Sequence, residues 1–337
     1  MDISKYSSIL ECIKLKNIDN INKYTTFINI INKNIQNKKE PLIISLSGGV
    51  DSMVLMHVLQ KLKKTFVAFH INYNNRNETN LEAEFLRDYC SINRIPFIYE
   101  SIEIKRGSIK RSDYEIRTKN IRFDKYKQLL SDYKSDCILL GHHRDDVIEN
   151  IFNNICRGRN ILDLSVIKKE NIISNVLIVR PMLDIFKIDI LSYANYYDIP
   201  YFKDTTPDWC LRGIFRRKIY PLISLAYKNN IKENLLSMAE QSTEWNDIIE
   251  KDIILPFLNS IEYTASNIKF NIYKHKDYSI TFWHEIFIRL FHKYGKNSLS
   301  KKSIQNLIIS FDKNKTIELS KDTNCIINNY NIIILFK

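Results

Sequence analysis

The chain has 337 residues, of which 45% are hydrophobic and 26% charged, as in a globular protein with one large domain and one or two smaller ones. No run of about 18 uncharged apolar residues occurs, so the sequence excludes a transmembrane helix and predicts no membrane partner. Charged residues interrupt the N-terminal apolar ones, which argues against a signal peptide and makes the cytoplasm the expected compartment. The net charge of +12 fits a polyanionic partner and a lysine-rich coding bias equally well.

Six cysteines are scattered along the chain, and none forms a C-x-x-C pair. This spacing argues against a zinc ribbon, an iron–sulfur site and a disulfide framework, and most of the six are expected to be small core residues. They are Cys12, Cys90, Cys137, Cys156, Cys210 and Cys325.

The first 40 residues are predicted to be an N-terminal extension. From residue 41 strand-like runs alternate with helix-like runs, which predicts an α/β domain over residues 41–223, a parallel sheet covered by helices on both faces. The strand-like runs are "PLIISL", "TFVAFHI", "FIYESIEI" and "DCILLGH". The helix-like runs are "SMVLMHVLQKLKK", "NLEAEFLRDYCSINR", "DYEIRTKNIRFDKYKQLL" and "DDVIENIFNNICRG".

Beyond Pro181 the pattern becomes mostly helical, which predicts a helical linker over residues 224–260. The last stretch, "TIELSKDTNCIINNYNIIILFK", contains two β-rich runs separated by turn residues. Residues 261–337 are therefore expected to form a small α+β domain. The oligomeric state stays open, a homodimer included.

The stretch "SLSGGVDSMVLMHVL" places two of the chain's seven glycines between a strand and a helix. Backbone N–H groups and the positive helix end there favour an anion, and glycines let the backbone approach it closely. The alternative is a tight turn with Ser52 as N-cap. The predicted binding residues are Ser47, Gly48, Gly49, Val50, Asp51 and Ser52.

A second cluster, "GHHRDDVIENIFNNICRG", ends a strand and begins a helix. The acidic residues of this cluster have an alternative explanation, in which they only cap the helix and complement its dipole. The two histidines are adjacent rather than four residues apart, and the set is rich in oxygen, which suits Mg²⁺ better than a zinc ion. The candidate residues are His142, His143, Asp145, Asp146 and Glu149.

The hexapeptide "SGGVDS" after a strand resembles the signature of the PP-loop ATP pyrophosphatases, and the G-K-S/T of a Walker loop is absent. The resemblance implies that the loop holds the pyrophosphate portion of ATP. It also implies that the α-phosphate is attacked and that pyrophosphate leaves.

The motif "GHHRDDVIE" followed by "N..RG" is similar to the tRNA(Ile)-lysidine synthetase family. Further matches are Glu115 and Arg122 in "YEIRTKNIRFDKY", and Arg180 and Asp204 in "RPMLDIFKIDILSYANYYDIPYFKD". The resemblance implies a tRNA substrate, ATP with Mg²⁺, and free lysine joined to the wobble cytidine. It assigns ATP binding to His142 and substrate or RNA contacts to the four residues just named. It implies the catalytic set Asp51, Asp145, Asp146 and Glu149.

The segment "DTTPDWCLRGIFRRKIYP" departs from the family pattern, with Pro207 in place of an asparagine and Gly213 after Arg212. Arg212 and Arg216 still align, and they share a helix face that favours contact with RNA phosphates over a merely solvated surface. Tyr73 and Asn74 stand in "HINYNNR" where a second histidine is expected. Tyr73 and Trp209 are candidates for base stacking or for packing.

Three alternatives remain open. One is a relative of the family that modifies a different position or a different RNA. Another is a tRNA thiolase on the same core, which would need the C-x-x-C pairs that this chain lacks. The third is a non-catalytic RNA-binding relative.

Overall fold

The computed structural model describes residues 3–11, 21–74, 78–104, 110–204, 206 and 208–336. The chain divides into two compact units, Met1–Gln241 and Ser242–Lys337. Within the described residues, every helix is too short or too polar to cross a lipid bilayer.

The first unit is built on a six-stranded sheet. Its strands are β1 (Leu42–Ser45), β2 (Phe66–Asn72), β3 (Phe97–Ser101), β4 (Ile138–Leu139), β5 (Glu170–Ile173) and β6 (Val176–Val179). Its helices are α1 (Ile21–Ile35), α2 (Val50–Lys61), α3 (Thr79–Ile92), α4 (Arg111–Asp132), α5 (Arg144–Cys156), α6 (Lys187–Tyr196), α7 (Leu211–Ile214), α8 (Tyr220–Tyr227) and α9 (Ile231–Ile249), the last of which crosses the boundary between the units. A π-helical stretch, Phe215–Ile219, joins α7 to α8.

The strand order is β3-β2-β1-β4-β6-β5, and every pairing from β3 to β6 is parallel. This confirms the predicted α/β class, with β1 at the centre of the sheet. The hairpin of β5 and β6 was missed by the sequence analysis, because two four-residue strands give little periodicity. Its two-residue turn has positive φ at Ser174 (49°) and Asn175 (63°), as a tight hairpin turn requires.

Helix α1 lies in the stretch predicted as an N-terminal extension, yet it packs into the core of the first unit. Tyr24, Phe27, Ile31 and Ile35 are spaced three and four residues apart and are all buried in that core. The alternation of strand and helix begins only at residue 41, so the sequence pattern did not reveal that this helix covers the sheet.

The second unit is a small α+β fold, as the sequence predicted. Its helices are α10 (Leu255–Asn259), α11 (Ile280–Lys293) and α12 (Lys301–Ile308), and its strands are β7 (Glu262–Tyr263), β8 (Asn267–Asn271), β9 (Lys315–Ser320), β10 (Thr323–Asn328) and β11 (Asn331–Phe336). The antiparallel sheet has the order β7-β8-β11-β10-β9. The unit begins before residue 261 because Ile254 and Phe257 are buried in its core.

The packing of α1 can be tested with Ile31→Ala, which removes a side chain that is 0% exposed. We expect the free energy of unfolding, measured with urea on the full chain, to fall by about 2–5 kcal/mol. Asn29→Ala, on the exposed face of the same helix, should stay within about 0.5 kcal/mol of the parent. Equal effects of the two substitutions would mean that α1 is not part of the core.

Candidate active site

The loop between β1 and α2 forms the first half of the site. Gly49 is the N-cap residue of α2, so the alternative with Ser52 as N-cap is wrong. The buried Ser52 hydroxyl instead holds the loop together from inside. It accepts hydrogen bonds from the backbone N–H groups of Ser47 (3.2 Å) and Gly48 (3.1 Å), and it donates to the Gly49 carbonyl (3.0 Å). The first N–H groups of α2 are thereby presented at the carboxyl end of β1.

Gly48 is required by its backbone and by its neighbour. Its φ is +82°, and a Cβ at this position would lie 1.9 Å from the Phe202 ring. The Phe202 N–H donates to the Gly48 carbonyl at 2.9 Å, so the two backbones are in direct contact. A Cβ on Gly49 would meet only the Ser47 hydroxyl, at 3.6 Å. The first glycine therefore serves close packing, and the second leaves room on the open side of the loop.

Helix α5 supplies the second half of the site. Its N-cap residue is His143, whose backbone N–H donates to Asp146 Oδ2 at 3.1 Å. Asp146 and Glu149 are both buried. Arg212 donates to Glu149 Oε1 (2.9 Å) and Asp146 Oδ1 (2.6 Å), and Arg216 donates to Glu149 Oε2 (2.9 Å) and the same Asp146 oxygen (3.0 Å). The two predicted RNA-contacting arginines thus bind the two predicted catalytic acids.

This cluster of charges shifts the pKa values of its members. Burial alone would raise the pKa of Asp146, but His143 and Arg212 outweigh it and hold that pKa below its usual value. Burial alone would lower the pKa of Arg216, but Glu149 and Asp146 raise it. Asp146 and Arg216 are therefore both charged at neutral pH.

Asp51 and Asp145 are connected through Lys187, the first residue of α6. The Lys187 ammonium lies 2.6 and 2.8 Å from the two Asp51 oxygens. Its backbone N–H donates to Asp145 Oδ2 at 2.8 Å, and Asp145 also binds Lys232 of α9. Burial would raise the pKa of Asp145, but these two donors lower it on balance. Asp145 thus anchors two helices.

The two histidines occupy different surroundings. His143 is buried, with Nε2 at 3.6 Å from Asp51 Oδ1 and 3.5 Å from Asp146 Oδ2, and burial lowers its pKa. Burial likewise lowers the pKa of His142 to about 4, and its Nδ1 accepts a hydrogen bond from Arg180 Nε at 3.2 Å. Both rings are therefore neutral at pH 7. Arg180 is buried and orients His142.

The remaining predicted residues divide between the cavity and the surface. Arg122 lies within 3.4 Å of the Tyr73 hydroxyl. Asp204 accepts from the Thr206 N–H at 2.9 Å; burial would raise the pKa of Asp204, but the Thr206 donors lower it on balance. Glu115 is exposed on α4, where it pairs with Arg111.

A cavity of about 1000 Å³ lies against the loop and the start of α5. Its volume is at the upper end of the roughly 300–1,000 Å³ of ligand pockets. The predicted residues that line it are Ser47, Gly49, Val50, Asp51, Ser52, Arg122, His142, Asp146, Asp204, Arg212 and Arg216. The described candidates outside this lining are Gly48, Tyr73, Glu115, His143, Asp145, Glu149, Arg180 and Trp209.

Sequence analysis missed several lining residues, among them Tyr126, Lys187 and Phe202. The Tyr126 hydroxyl donates to Ser45 Oγ at 2.8 Å, and burial raises its pKa to about 12. Nothing in the sequence indicated the contact between Lys187 and Asp51, because a lysine at the start of a helix is common and only the fold brings it to Asp51. For Phe202 the only sequence hint was the glycine that it contacts.

In the described part of the chain, no group of three or more His, Cys, Asp and Glu side chains is arranged to hold a metal ion. Asp51 nevertheless presents a carboxylate to the cavity beside the loop. Mg²⁺ usually binds through one or two carboxylates and substrate phosphates. The Asp51 carboxylate therefore fits a Mg²⁺ ion that arrives with ATP.

The described cysteines are free thiols. Cys90, Cys137 and Cys325 are buried, Cys210 is half-buried and Cys156 is exposed, whereas Cys12 lies outside the described residues, as does Pro207. Burial raises the pKa of Cys90 to about 12, as expected of a core residue rather than a reactive thiolate.

Known proteins resemble this chain in sequence and in fold. The tRNA(Ile)-lysidine synthase of Chlamydia muridarum is 29% identical over 226 residues, which are 66% of this chain and 70% of that protein. The enzyme of the same name from Chlamydia pneumoniae is 26% identical over 68% of this chain and 71% of that protein. The U34-tRNA thiolase of Methanococcus maripaludis superposes with a TM-score of 0.51 and 18% identity over 66% of this chain and 79% of that one, a likeness of fold alone.

The family profile described as the PP-loop domain matches residues 20–223, more than half of the chain. The match includes the loop, α5 and both arginines, and it begins where α1 begins. It confirms the resemblance drawn from "SGGVDS" after a strand. The chain belongs to the PP-loop domain family.

Proposed function

We propose that this protein is an ATP-dependent ligase that adenylates the wobble cytidine of a tRNA(Ile) and joins free lysine to it, forming lysidine. The observation that carries the proposal is that the anion-binding loop and the buried Asp146 of α5 line one cavity, with the buried Glu149 bound to the same two arginines as Asp146. An adenylating ligase needs both, because it must hold a polyphosphate and an ammonium side by side. The names of the chlamydial relatives support the same activity. The expected compartment is the cytoplasm.

The first chemical step places negative charge on the leaving pyrophosphate. The C2 carbonyl oxygen of the cytidine attacks the α-phosphorus of ATP, and pyrophosphate leaves with the electron pair of the broken bond. The N–H groups at the start of α2 stabilise that charge. Magnesium bound with ATP would be held by Asp51 and would neutralise further phosphate charge.

The second step needs a nucleophilic amine. The ε-ammonium of lysine is attracted by Asp146 and Glu149, and one of these carboxylates accepts its proton as the amine attacks C2 and displaces AMP. Their oxygens now bind Arg212 and Arg216, so the ammonium must share or replace a guanidinium. The Arg212 side chain is 55% exposed and can withdraw, whereas the acids are fixed on α5.

Basic and aromatic side chains on the segment that contains Arg212 support RNA binding. Arg217, Lys218 and Trp209 lie on the same segment as Arg212, and Trp209 is exposed. Guanidinium and ammonium groups bind phosphates, and an exposed tryptophan can stack on a base. A thiolase activity is not favoured, because the described cysteines are dispersed and three of them are buried.

The direct test measures pyrophosphate release from ATP by the purified protein with a tRNA(Ile) transcript carrying a CAU anticodon, with and without lysine. We expect release to depend on the tRNA, and mass spectrometry of nucleosides to show cytidine with the mass of lysine added less water. Release without lysine incorporation would point to another nucleophile. No release with any tRNA would favour the RNA-binding alternative.

The role of the α5 acids predicts a specific defect in Asp146→Asn. We expect lysine incorporation to fall by about 10²–10⁴-fold, because the amine loses its charged partner, while the affinity for tRNA stays within twofold. Asp163→Asn removes a surface carboxylate that pairs with Arg159, and it should leave incorporation unchanged. A variant Asp146→Asn that retains full incorporation would rule out this role.

The two glycines of the loop predict different outcomes for the same small substitution. Gly48→Ala should lower the melting temperature and abolish ATP binding, because its Cβ would overlap the Phe202 ring and its φ is positive. Gly49→Ala has free space and should fold normally. Thermal unfolding and ATP titration of both variants check this, and equal melting temperatures would contradict it.

A further inference from the structure

We propose that the N-terminal segment, residues 3–11, is a positioning element of the ATP site: it holds the peptide group between Gly48 and Gly49 in the orientation that binds anions. The inference rests on the ATP use of the proposed function and does not depend on which RNA or amine reacts. The N-terminal segment lies outside residues 20–223, which the family profile matches. Its last residue, Glu11, nevertheless lines the same cavity as the loop.

The N-terminal segment pairs with the stretch of chain that lies beside the loop. Leu10 and Phe202 form an antiparallel bridge. On one side of this bridge, the Glu11 N–H donates to the Tyr201 carbonyl at 3.0 Å. On the other side, the Lys203 N–H donates to the carbonyl of the residue before Leu10 at 2.9 Å. The segment thus adds a second backbone partner to residues 201–203, which line the cavity.

Residues 201–203 form hydrogen bonds on both edges of their backbone. The outer two bond to the N-terminal segment, and the N–H of Phe202, between them, donates to the Gly48 carbonyl at 2.9 Å. Alternate residues of an extended chain present their backbone groups to opposite edges, so the pairing on one edge sets the direction of the groups on the other. The Phe202 ring also occupies the space that a Cβ on Gly48 would need. The N-terminal segment therefore fixes how Phe202 meets the loop.

The contact with Phe202 orients the peptide group between the two glycines. A trans peptide group is planar, and its carbonyl and N–H point in opposite directions. Because the Gly48 carbonyl faces Phe202, the Gly49 N–H faces the open side of the loop, and Gly49 lines the cavity whereas Gly48 does not. The contact of this N–H with Ser47 Oγ is long, at 3.4 Å, which leaves the donor available to an anion in the cavity.

A peptide group between two glycines needs such a contact to keep its orientation. Neither neighbour has a Cβ to restrict rotation, so the group is free to flip unless a partner holds it. A flip would turn the carbonyl oxygen of Gly48 toward the phosphates and remove the Gly49 donor. The hydrogen bond from Phe202 opposes that flip.

Tyr6 anchors the N-terminal segment to α3. Its ring is 1% exposed and lies edge-on to Phe85, with the ring centroids 5.1 Å apart, and its hydroxyl donates to Asp88 at 2.5 Å. Phe85 also contacts the Phe202 ring, at 5.6 Å between centroids. Loss of the Tyr6 side chain should therefore release both the segment and the residues that it pairs with.

The test measures ligand affinity and amide hydrogen exchange in the Tyr6→Ala variant of the full chain. We expect the Kd values for ATP and inorganic pyrophosphate, measured by calorimetry, to rise about tenfold, because one oriented donor to a charged group is lost. The Kd for AMP, which lacks the pyrophosphate portion, should stay within about twofold of the parent value. Hydrogen exchange should become faster in residues 46–50 and 201–203 and stay unchanged in β6, on the other side of β1.

Ile31→Ala is the matched control, because Ile31 is buried in the same core as Tyr6 and lies outside the cavity lining. It should lower the melting temperature without changing the Kd for pyrophosphate. Tyr6→Phe keeps the ring against Phe85 and should recover most of the affinity. If Tyr6→Ala proves too unstable, Glu11→Pro carries the same comparison, since it removes only the N–H that Tyr201 accepts.

An unchanged Kd for pyrophosphate in both Tyr6→Ala and Glu11→Pro would overturn the proposal, and so would equal rises in the Kd values for pyrophosphate and AMP. These affinities are measured without RNA or lysine. Should the parent protein release no pyrophosphate with any RNA, the proposed ligase function fails. The comparison of pyrophosphate with AMP would then still decide whether the N-terminal segment orients the loop.

Discussion

The need to pair four carboxylates at the carboxyl ends of β1 and β4 organises the first unit. Partly buried carboxylates are costly unless cations and hydrogen bonds compensate them, and here each acid has at least one cation. The acids are Asp51, Asp145, Asp146 and Glu149, and the cations are Lys187, Arg212, Arg216 and Lys232. All four acids precede all four cations in the chain. Pairing them therefore brings α6, the segment after residue 210 and α9 back onto the loop and α5.

The same ion pairs prepare the site for ligands of both signs. An ammonium can take the place of a guanidinium on a carboxylate, and the guanidinium that it displaces can then bind a phosphate. His143 lies between Asp51 and Asp146 without adding charge, because burial lowers its pKa. Arg212 is the most exposed of the four cations, at 55%, whereas its partners Asp146 and Glu149 are buried on α5.

What could be predicted from the sequence was local. The glycines of the loop, the strand before it and the acidic face of α5 are encoded within a few residues each, and the structure places them as expected. The partners of those acids could not be predicted, because Lys187 lies 136 residues from Asp51 and Lys232 lies 87 residues from Asp145. The packing of helix α1 could not be predicted for the same reason. Its apolar face is visible in the sequence, but the surface that it covers is formed by residues much later in the chain.

The departures from the tRNA(Ile)-lysidine synthetase pattern lie in the segment that contains Arg212 and Arg216. In the structure this segment has a short helix whose N-cap, Cys210, accepts a hydrogen bond from Gly213, followed by a π-helical stretch that contains Arg216. Both arginines bind the same pair of acids. Because the physical requirement is only that two guanidinium groups arrive at Asp146 and Glu149, the residues between and before them are free to change. Drift in this segment is therefore compatible with an intact site.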